Sequence, residues 1–425
     1  MEIYVVSQGD TLLSIAESFG VSAERLSQTN EIPPETPLVP GQTVVVLFPR
    51  TVHTVQEGER LSTIASRYGV TENELFRNNI NLGGQEAIYP GQSIVIDYLD
   101  APTARATFYG YAYPFINIPL LRQTLPYNDY LAPFTYGITP SGELVELDDG
   151  ELLTIAREYG KGALMHLSTL TEEGNFDSAL GAYVLNTPSV RESLIENVVT
   201  TVRERGYSGL DVDFEYLPES SAAPYADFIG ELTRRLNAEG KPVIVALAPK
   251  TSATQPGLLY EGHSYELLGE AANFVLLMTY EWGYSYGPPL AVAPIPNVRR
   301  VLDYAVSVIP REKIFLGIPN YGYDWTLPFV QGESRAESIS NVRAVEIARE
   351  AGVAIAYDET SQSPNFNYTA PDGRKHEVWF EDARSIDAKL ALVREYGLFG
   401  AGYWNLMRPF PQNWLVLNAR FDLVT

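Results

Sequence analysis

Hydrophobic positions recur along this chain with two different periods. Over the first hundred residues they mark a repeat. Val6, Gly9, Leu12, Ile15, Ala16, Gly20, Val21, Leu26 and Asn30 return 49 positions later as Val55, Gly58, Leu61, Ile64, Ala65, Gly69, Val70, Leu75 and Asn79. Pro40-Gly41-Gln42 returns as Pro90-Gly91-Gln92 after a one-residue insertion. Leu12, Ile15, Ala16 and Phe19 share one face of a helix that Thr11 can start, with Ser62 the corresponding start in the second copy. Gly20 and Gly69 stand where a helix C-cap takes positive φ. Pro-Gly-Gln turns into a closing strand, TVVVLF or SIVIDY. Each copy therefore reads strand, helix, helix, strand.

Beyond a short linker at Asp100–Thr103, strand-like apolar runs alternate with amphipathic ones. The runs are TFYGYAYPF (107–115), YLAPFTYGI (130–138), GALMHLSTL (162–170), LDVDFEY (210–216), PVIVALAPK (242–250), NFVLLMTYEW (273–282), IFLGIPNYGY (314–323) and LFGAGYWNL (398–406). Stretches such as Ser189 to Arg205 and Pro224 to Glu239 read as the helices between them. Strand and helix in strict alternation imply parallel strands with right-handed crossovers, and eight such units predict an α/β chain built as a (β/α)8 barrel. The longest gap, about Thr326 to Glu381, reads as a small α+β insertion: a helix over Asn341–Ala351 and short antiparallel strands at IAYDE, FNYTA and EVWFED. Three parts follow: residues 1–49, residues 50–99, and a barrel over 102–425.

The chemistry concentrates in YSGLDVDFEYLP (207–218). Val212, Phe214 and Tyr216 alternate with Asp211, Asp213 and Glu215, and a strand sends alternate side chains to opposite faces. An apolar outer face suits a sheet covered by helices, which crowds three carboxylates inside, where unpaired charge is expensive or becomes protonated. A half-exposed edge strand with a solvated acidic face is the bland alternative. Barrel active sites are built at C-terminal strand ends. Glu215 is expected to end the acidic strand, Tyr280 strand six, Asn320 and Tyr321 strand seven and Trp404 strand eight. Tyr111 on strand one and Glu281 beside Tyr280 are further candidate contacts. One acid with carboxylates behind it, a phenol and a Trp platform suit a sugar-cleaving pocket, because apolar sugar faces stack on aromatics.

Composition narrows the alternatives. A net charge of −23 argues against a nucleic-acid partner, since little neutralises phosphate. There are no cysteines, which excludes disulfides, thiol nucleophiles and thiolate metal sites. The four histidines, His53, His166, His263 and His376, form no metal motif and are read as structural. No apolar run spans a membrane, and MEIYVVSQGDTL lacks the basic and apolar regions of a signal peptide. Neither a metal nor a cofactor is implied.

The repeats resemble the LysM module, which binds N-acetylglucosamine-containing glycans. That resemblance implies sugar contacts near Gly9, Asp10, Thr11 and Asn30, and near Gly58, Glu59 and Asn79, although the same Gly and Asn residues also suit turns. SGLDVDFEY resembles the DxxDxDxE signature of glycoside hydrolase family 18, with LMTYEW and Trp404 matching its strand-six and strand-eight motifs. Ser208 stands where the signature's first Asp usually is, and Glu281 replaces the Asp after the strand-six Tyr. The resemblance implies Glu215 as general acid–base, Asp213 and Tyr280 holding the substrate acetamido group, and Asp211 sharing a proton with Asp213. Family 18 lets that acetamido oxygen act as nucleophile. GIPNYGYDW and the paired modules look like the spore cortex-lytic subgroup of N-acetylglucosaminidases. This implies a peptidoglycan substrate, location at the spore coat or cortex, and coat-protein contacts around a monomer. A chitinase and a catalytically silent glycan-binding protein are the competing readings.

Overall fold

Alternation along each barrel strand divides the chain into an outer and an inner core. The computed structural model describes residues 1–100 and 102–423, so Ala101 of the expected linker lies outside the described residues. The eight strands are β1 Thr107–Ala112, β2 Tyr130–Pro133, β3 Gly162–Ser168, β4 Gly209–Asp213, β5 Val243–Leu247, β6 Phe274–Leu277, β7 Ile314–Pro319 and β8 Gly400–Trp404. They are parallel neighbours in a closed barrel that returns from β8 to β1. Leu210, Val212 and Phe214 point outward and are fully buried. Phe214 stacks on Tyr225 and Phe228 of the helix Ala222–Asn237, with ring centroids 5.8 and 5.9 Å away. Burying a side chain of this size stabilises by about 1.5–3 kcal/mol, so the outward face fixes the register that turns Asp211 inward. Inside, Tyr109, Phe274, Phe315 and Phe399 pack edge-on and tilted, filling the barrel below the acids.

All eight strands stop earlier than their apolar runs, and at three of them this moves candidate site residues off the strand. β4 ends at Asp213 and β6 at Leu277, so Glu215 and Tyr280 stand on loops above their strands. Tyr216 leaves the alternation altogether: its φ is +56°, and it is 49% exposed. β7 ends at Pro319, and after Asn320 and Tyr321 the chain enters the insertion at Gly322. The insertion is a five-stranded antiparallel sheet in the order Glu337–Ile339, Gly322–Leu327, Lys375–Trp379, Ser363–Thr369, Ala356–Asp358, with the helix Asn341–Ala351 packed on it.

Each repeat copy is two helices on a two-stranded antiparallel ribbon, Glu2–Val5 with Thr43–Val46 and Pro49–Thr54 with Ser93–Tyr98. Pro49 thus opens the second copy. Thr11 caps the first helix by accepting from the Ser14 N–H at 3.1 Å. In the second copy Arg60, rather than Ser62, occupies the cap position. Gly20 and Gly69 adopt φ +66° and +68°.

Both copies are docked on the barrel domain. The apolar core of the second copy is continuous with the barrel's outer core. Asn73 donates to the Tyr159 carbonyl at 2.9 Å and Tyr127 to the Arg77 carbonyl at 3.0 Å. The first copy meets the insertion, where Ile355 N–H donates to the Pro40 carbonyl at 2.8 Å and Arg349 to the Pro37 carbonyl at 2.9 Å.

Gly41 and Gly91 separate docking from local geometry. They are equivalent turn positions with φ +86° and +88°, but a Cβ on Gly41 would lie 1.8 Å from the Ile355 carbonyl oxygen, whereas one on Gly91 meets nothing within 4 Å. Alanine at either incurs roughly 1–2 kcal/mol for the left-handed backbone. Gly41→Ala should therefore lower the melting temperature more than Gly91→Ala and speed amide exchange around Ile355. Equal effects would mean that the first copy does not press on the insertion.

Candidate active site

The barrel's open end holds the carboxylates that alternation turns inward. Asp211 is fully buried and lies in register with His166 on β3. Its Oδ2 accepts from the Tyr111 hydroxyl at 2.5 Å, and its Oδ1 has no partner. Tyr111 therefore supports Asp211 from within the barrel instead of meeting substrate, as its place on strand one had suggested. Asp213 sits above, its Oδ2 4.0 Å from His166 Nε2 and its Oδ1 without a partner. Burial pulls the His166 imidazole down to about 3, so it is neutral, and its Nδ1 pairs with the Thr135 hydroxyl at 2.7 Å.

Burial raises the acids in this set together. It pushes Asp211 up to about 7 against the opposing hydrogen bond from Tyr111. Asp213 is raised well above the usual carboxylate range, first by burial and then by the charges of Glu215 and Asp211. Glu215 is raised to about 7 by burial and by the Glu281 charge. Asp213 and Glu215 titrate as a pair. The Tyr280 phenol, buried beside the same charges, stays protonated as a donor. Gly317 on β7 makes room for it: a Cβ there would come within 2.8 Å of the Tyr280 ring.

A groove of about 270 Å³ opens beside these groups, lined by Tyr113, Phe115, Glu281, Tyr321, Tyr323, Trp404 and Arg408, among others. Trp404, at the end of β8, packs edge-on against Phe134 at 4.8 Å, and Phe134 stacks on His166 at 4.6 Å. Tyr113 and Phe115 stack at 5.2 Å, and Phe115 is 77% exposed. Sequence reasoning passed over Tyr113 and Phe115, although Tyr109, Tyr111, Tyr113 and Phe115 fall on alternate positions of one run. Glu281 takes φ +67° and accepts from the Tyr321 and Tyr323 hydroxyls, the latter at 2.9 Å. Tyr323 was the missed partner, two residues beyond Tyr321. A separate cavity of about 330 Å³ lies away from the acids, between the first repeat copy and the insertion.

Asn320 does not face the groove as a sugar contact. It is buried, and its amide donates to the Asn405 and Arg408 carbonyls at 2.8 and 3.0 Å, bracing the segment after β8. Asn30 and Asn79 are likewise consumed internally. Each exchanges hydrogen bonds with the backbone of the closing strand, at Val45 (2.9 and 2.8 Å) and at Val95 (2.8 Å both ways). Buried as they are, they hold their modules together, with both amide N–H donors of each spent on backbone carbonyls. Asp10 accepts from the Tyr4 hydroxyl and the Ser7 N–H, both at 2.7 Å. Glu59 does the same for the Gln56 N–H at 2.8 Å and pairs with His53 and Arg67 at 2.6 Å. Gly9 and Gly58 make the turns, with φ +91° and +79°, and Thr11 is the helix cap.

Comparison with known proteins agrees with this geometry. The LysM domain profile matches residues 4–46 and 53–97. A cortical fragment-lytic enzyme of Bacillus subtilis is 41% identical over 100% of this chain and 99% of its own length. The crystal structure of the Bacillus megaterium spore cortex-lytic enzyme SleL superposes with a TM-score of 0.83 at 39% identity, covering 99% of this chain and 98% of that one. A chitinase from Chromobacterium violaceum is more distant, with a TM-score of 0.68 and 26% identity over 74% of this chain and 98% of its own. The profile of the glycosyl hydrolases family 18 matches residues 166–408, the span that carries the buried acids, Tyr280 and Trp404, and the chain belongs to that family of glycoside hydrolases, with two LysM domains before the barrel.

Proposed function

We propose that this chain is an N-acetylglucosaminidase acting on spore-cortex peptidoglycan, by retaining, substrate-assisted hydrolysis. The observation that carries the reading is the set Asp211, Asp213 and Glu215, raised together and joined to the groove through Glu281, whose charge acts on Glu215, and through Trp404, which packs on the Tyr111 that holds Asp211. Near neutral pH Glu215 holds a proton to give to the glycosidic oxygen and then, ionised, activates water. Asp213 accepts from the acetamido N–H of the sugar, Tyr280 donates to its carbonyl, and that oxygen attacks the anomeric carbon. Asp211, held by Tyr111, keeps the Asp213 charge shared. The relatives that match end to end are named for spore cortex or its fragments, which supports peptidoglycan over chitin and a location at the spore. The LysM domains hold it on insoluble glycan.

Mass spectrometry of products from cortex fragments and from chitin oligomers tests this reading. Release of N-acetylglucosamine at the reducing or non-reducing side of muramic residues supports it. Efficient cleavage of chitin alone would replace it with the chitinase reading.

Two variants test the machinery. Glu215→Gln should lower turnover about 10²–10⁴-fold, the range for a lost general acid–base, while binding of soluble oligosaccharide persists. The second concerns pH. A general acid must be protonated, so kcat/KM should fall as pH rises through about 7, the value to which burial and Glu281 raise Glu215 within its pair with Asp213. The Glu281 charge contributes to that raised value, and Glu281→Gln should move the alkaline limb to lower pH. A limb that stays in place or moves up would remove Glu281 from the control of Glu215.

A further inference from the structure

Arg408 is a half-buried cation without a carboxylate partner. The chain carries 53 acidic residues against 30 Lys and Arg, yet among the described residues no carboxylate lies within 4.0 Å of the Arg408 guanidinium. Its protein partners are neutral. Nη1 donates to the Ser338 hydroxyl at 3.0 Å and to the Ile339 carbonyl at 2.7 Å, and Nη2 donates to the Ser338 carbonyl at 3.1 Å. A guanidinium has five N–H donors, so two remain. Burial pulls its affinity for the proton down, and the Glu337 charge, beyond ion-pair distance, opposes this only in part.

Its position gives the missing anion an address. Arg408 lines the groove together with Trp404, Tyr113 and Phe115. Among the described residues Glu281 is the only carboxylate lining the same groove, and the Tyr321 and Tyr323 hydroxyls already hold it. The groove therefore presents aromatic faces to a sugar ring and a fixed, unpaired guanidinium beside them. A chitin chain is neutral and offers this cation no charge. The muramic residues of peptidoglycan bear a lactyl substituent that ends in a carboxylate or in an acidic stem peptide. A planar guanidinium matches a carboxylate better than any other side chain does.

We propose that Arg408 receives the carboxylate of a muramic acid substituent, making it the residue by which the groove distinguishes peptidoglycan from chitin. The inference rests on the peptidoglycan reading above and names the substituent that this site recognises. Arg408 also ties the insertion strand Glu337–Ile339 to the segment after β8, so the test must separate recognition from bracing.

The experiment compares kcat/KM of the full chain and of its Arg408→Gln and Arg408→Lys variants on three substrates: cortex fragments with free carboxylates, the same fragments with carboxyl groups amidated, and N-acetylglucosamine oligomers. Melting curves of each variant run alongside. In Arg408→Gln the ratio of fragment to oligomer cleavage should fall roughly tenfold or more, the factor for losing one charge-assisted hydrogen bond, with the change mainly in KM. Amidation should impose a similar loss on the unmutated chain and little further loss on Arg408→Gln, and Arg408→Lys should regain part of the ratio. Equal losses on all three substrates would make Arg408 a brace only and overturn the proposal. So would an unchanged ratio in a chain that cleaves cortex fragments well. An unmutated chain that cleaves the oligomers and not the fragments defeats the peptidoglycan reading itself, an outcome visible before any variant is measured.

Discussion

Everything at the open end of the barrel depends on keeping carboxylates in a place that disfavours their charge. Taking an ion out of water still costs several kcal/mol after relaxation. Here the outward packing of Leu210, Val212 and Phe214 holds β4 in the register that imposes it. The site answers with protons and neutral donors. Asp211, Asp213 and Glu215 are raised, His166 is uncharged, and Tyr111 and Tyr280 stay phenolic. Among the described residues no Lys or Arg forms an ion pair with any of these three acids. A cation there would stabilise the ionised forms and strip Glu215 of the proton its chemistry needs. The absence of salt bridges in this spot is therefore what makes a general acid available near neutral pH.

The same physics decides what the sequence makes legible. A period of two buried on both faces leaves a strong trace, and the eight barrel strands and the inward acids could be read from it. The trace misleads where the backbone turns but the composition does not. LDVDFEY continues to alternate past Asp213, yet Tyr216 adopts a left-handed conformation and the pattern no longer corresponds to a strand. GIPNYGYDW is apolar throughout, although the chain changes sheets in its middle, between Pro319 and Gly322.

Polar residues are read less well, because their chemistry does not say which partner they have. Asn30 and Asn79 recur in the two repeats as ligand contacts would, but recurrence equally marks a bond that every copy needs in order to fold. Asn320 at a strand end and Tyr111 on an inward face were placed correctly. What the sequence lacks is the distance to Asn405 or to Asp211 that turns a candidate contact into a support. Arg408 left no trace at all: one Arg in MRPFP acquires meaning only when the structure shows that no carboxylate among the described residues pairs with it.

The short segment from Trp404 to Gln412 joins these parts mechanically. Trp404 stands in the groove wall, Asn405 and Arg408 are braced by Asn320, and Arg408 grips Ser338 and Ile339 of the insertion. Gln412 then reaches the first LysM domain, donating to the Thr43 carbonyl at 2.6 Å and accepting from the Thr43 hydroxyl at 2.8 Å. A tether of flexible residues would raise local substrate concentration while leaving orientation free. Here the domain is held to the same segment that shapes the groove, and the insertion touches both. The first LysM domain is consequently held at a fixed angle to the groove. Packed cores and interfaces transmit strain instead of absorbing it, so a change in packing at Gln412 reaches the groove wall at Trp404 through about eight residues of chain.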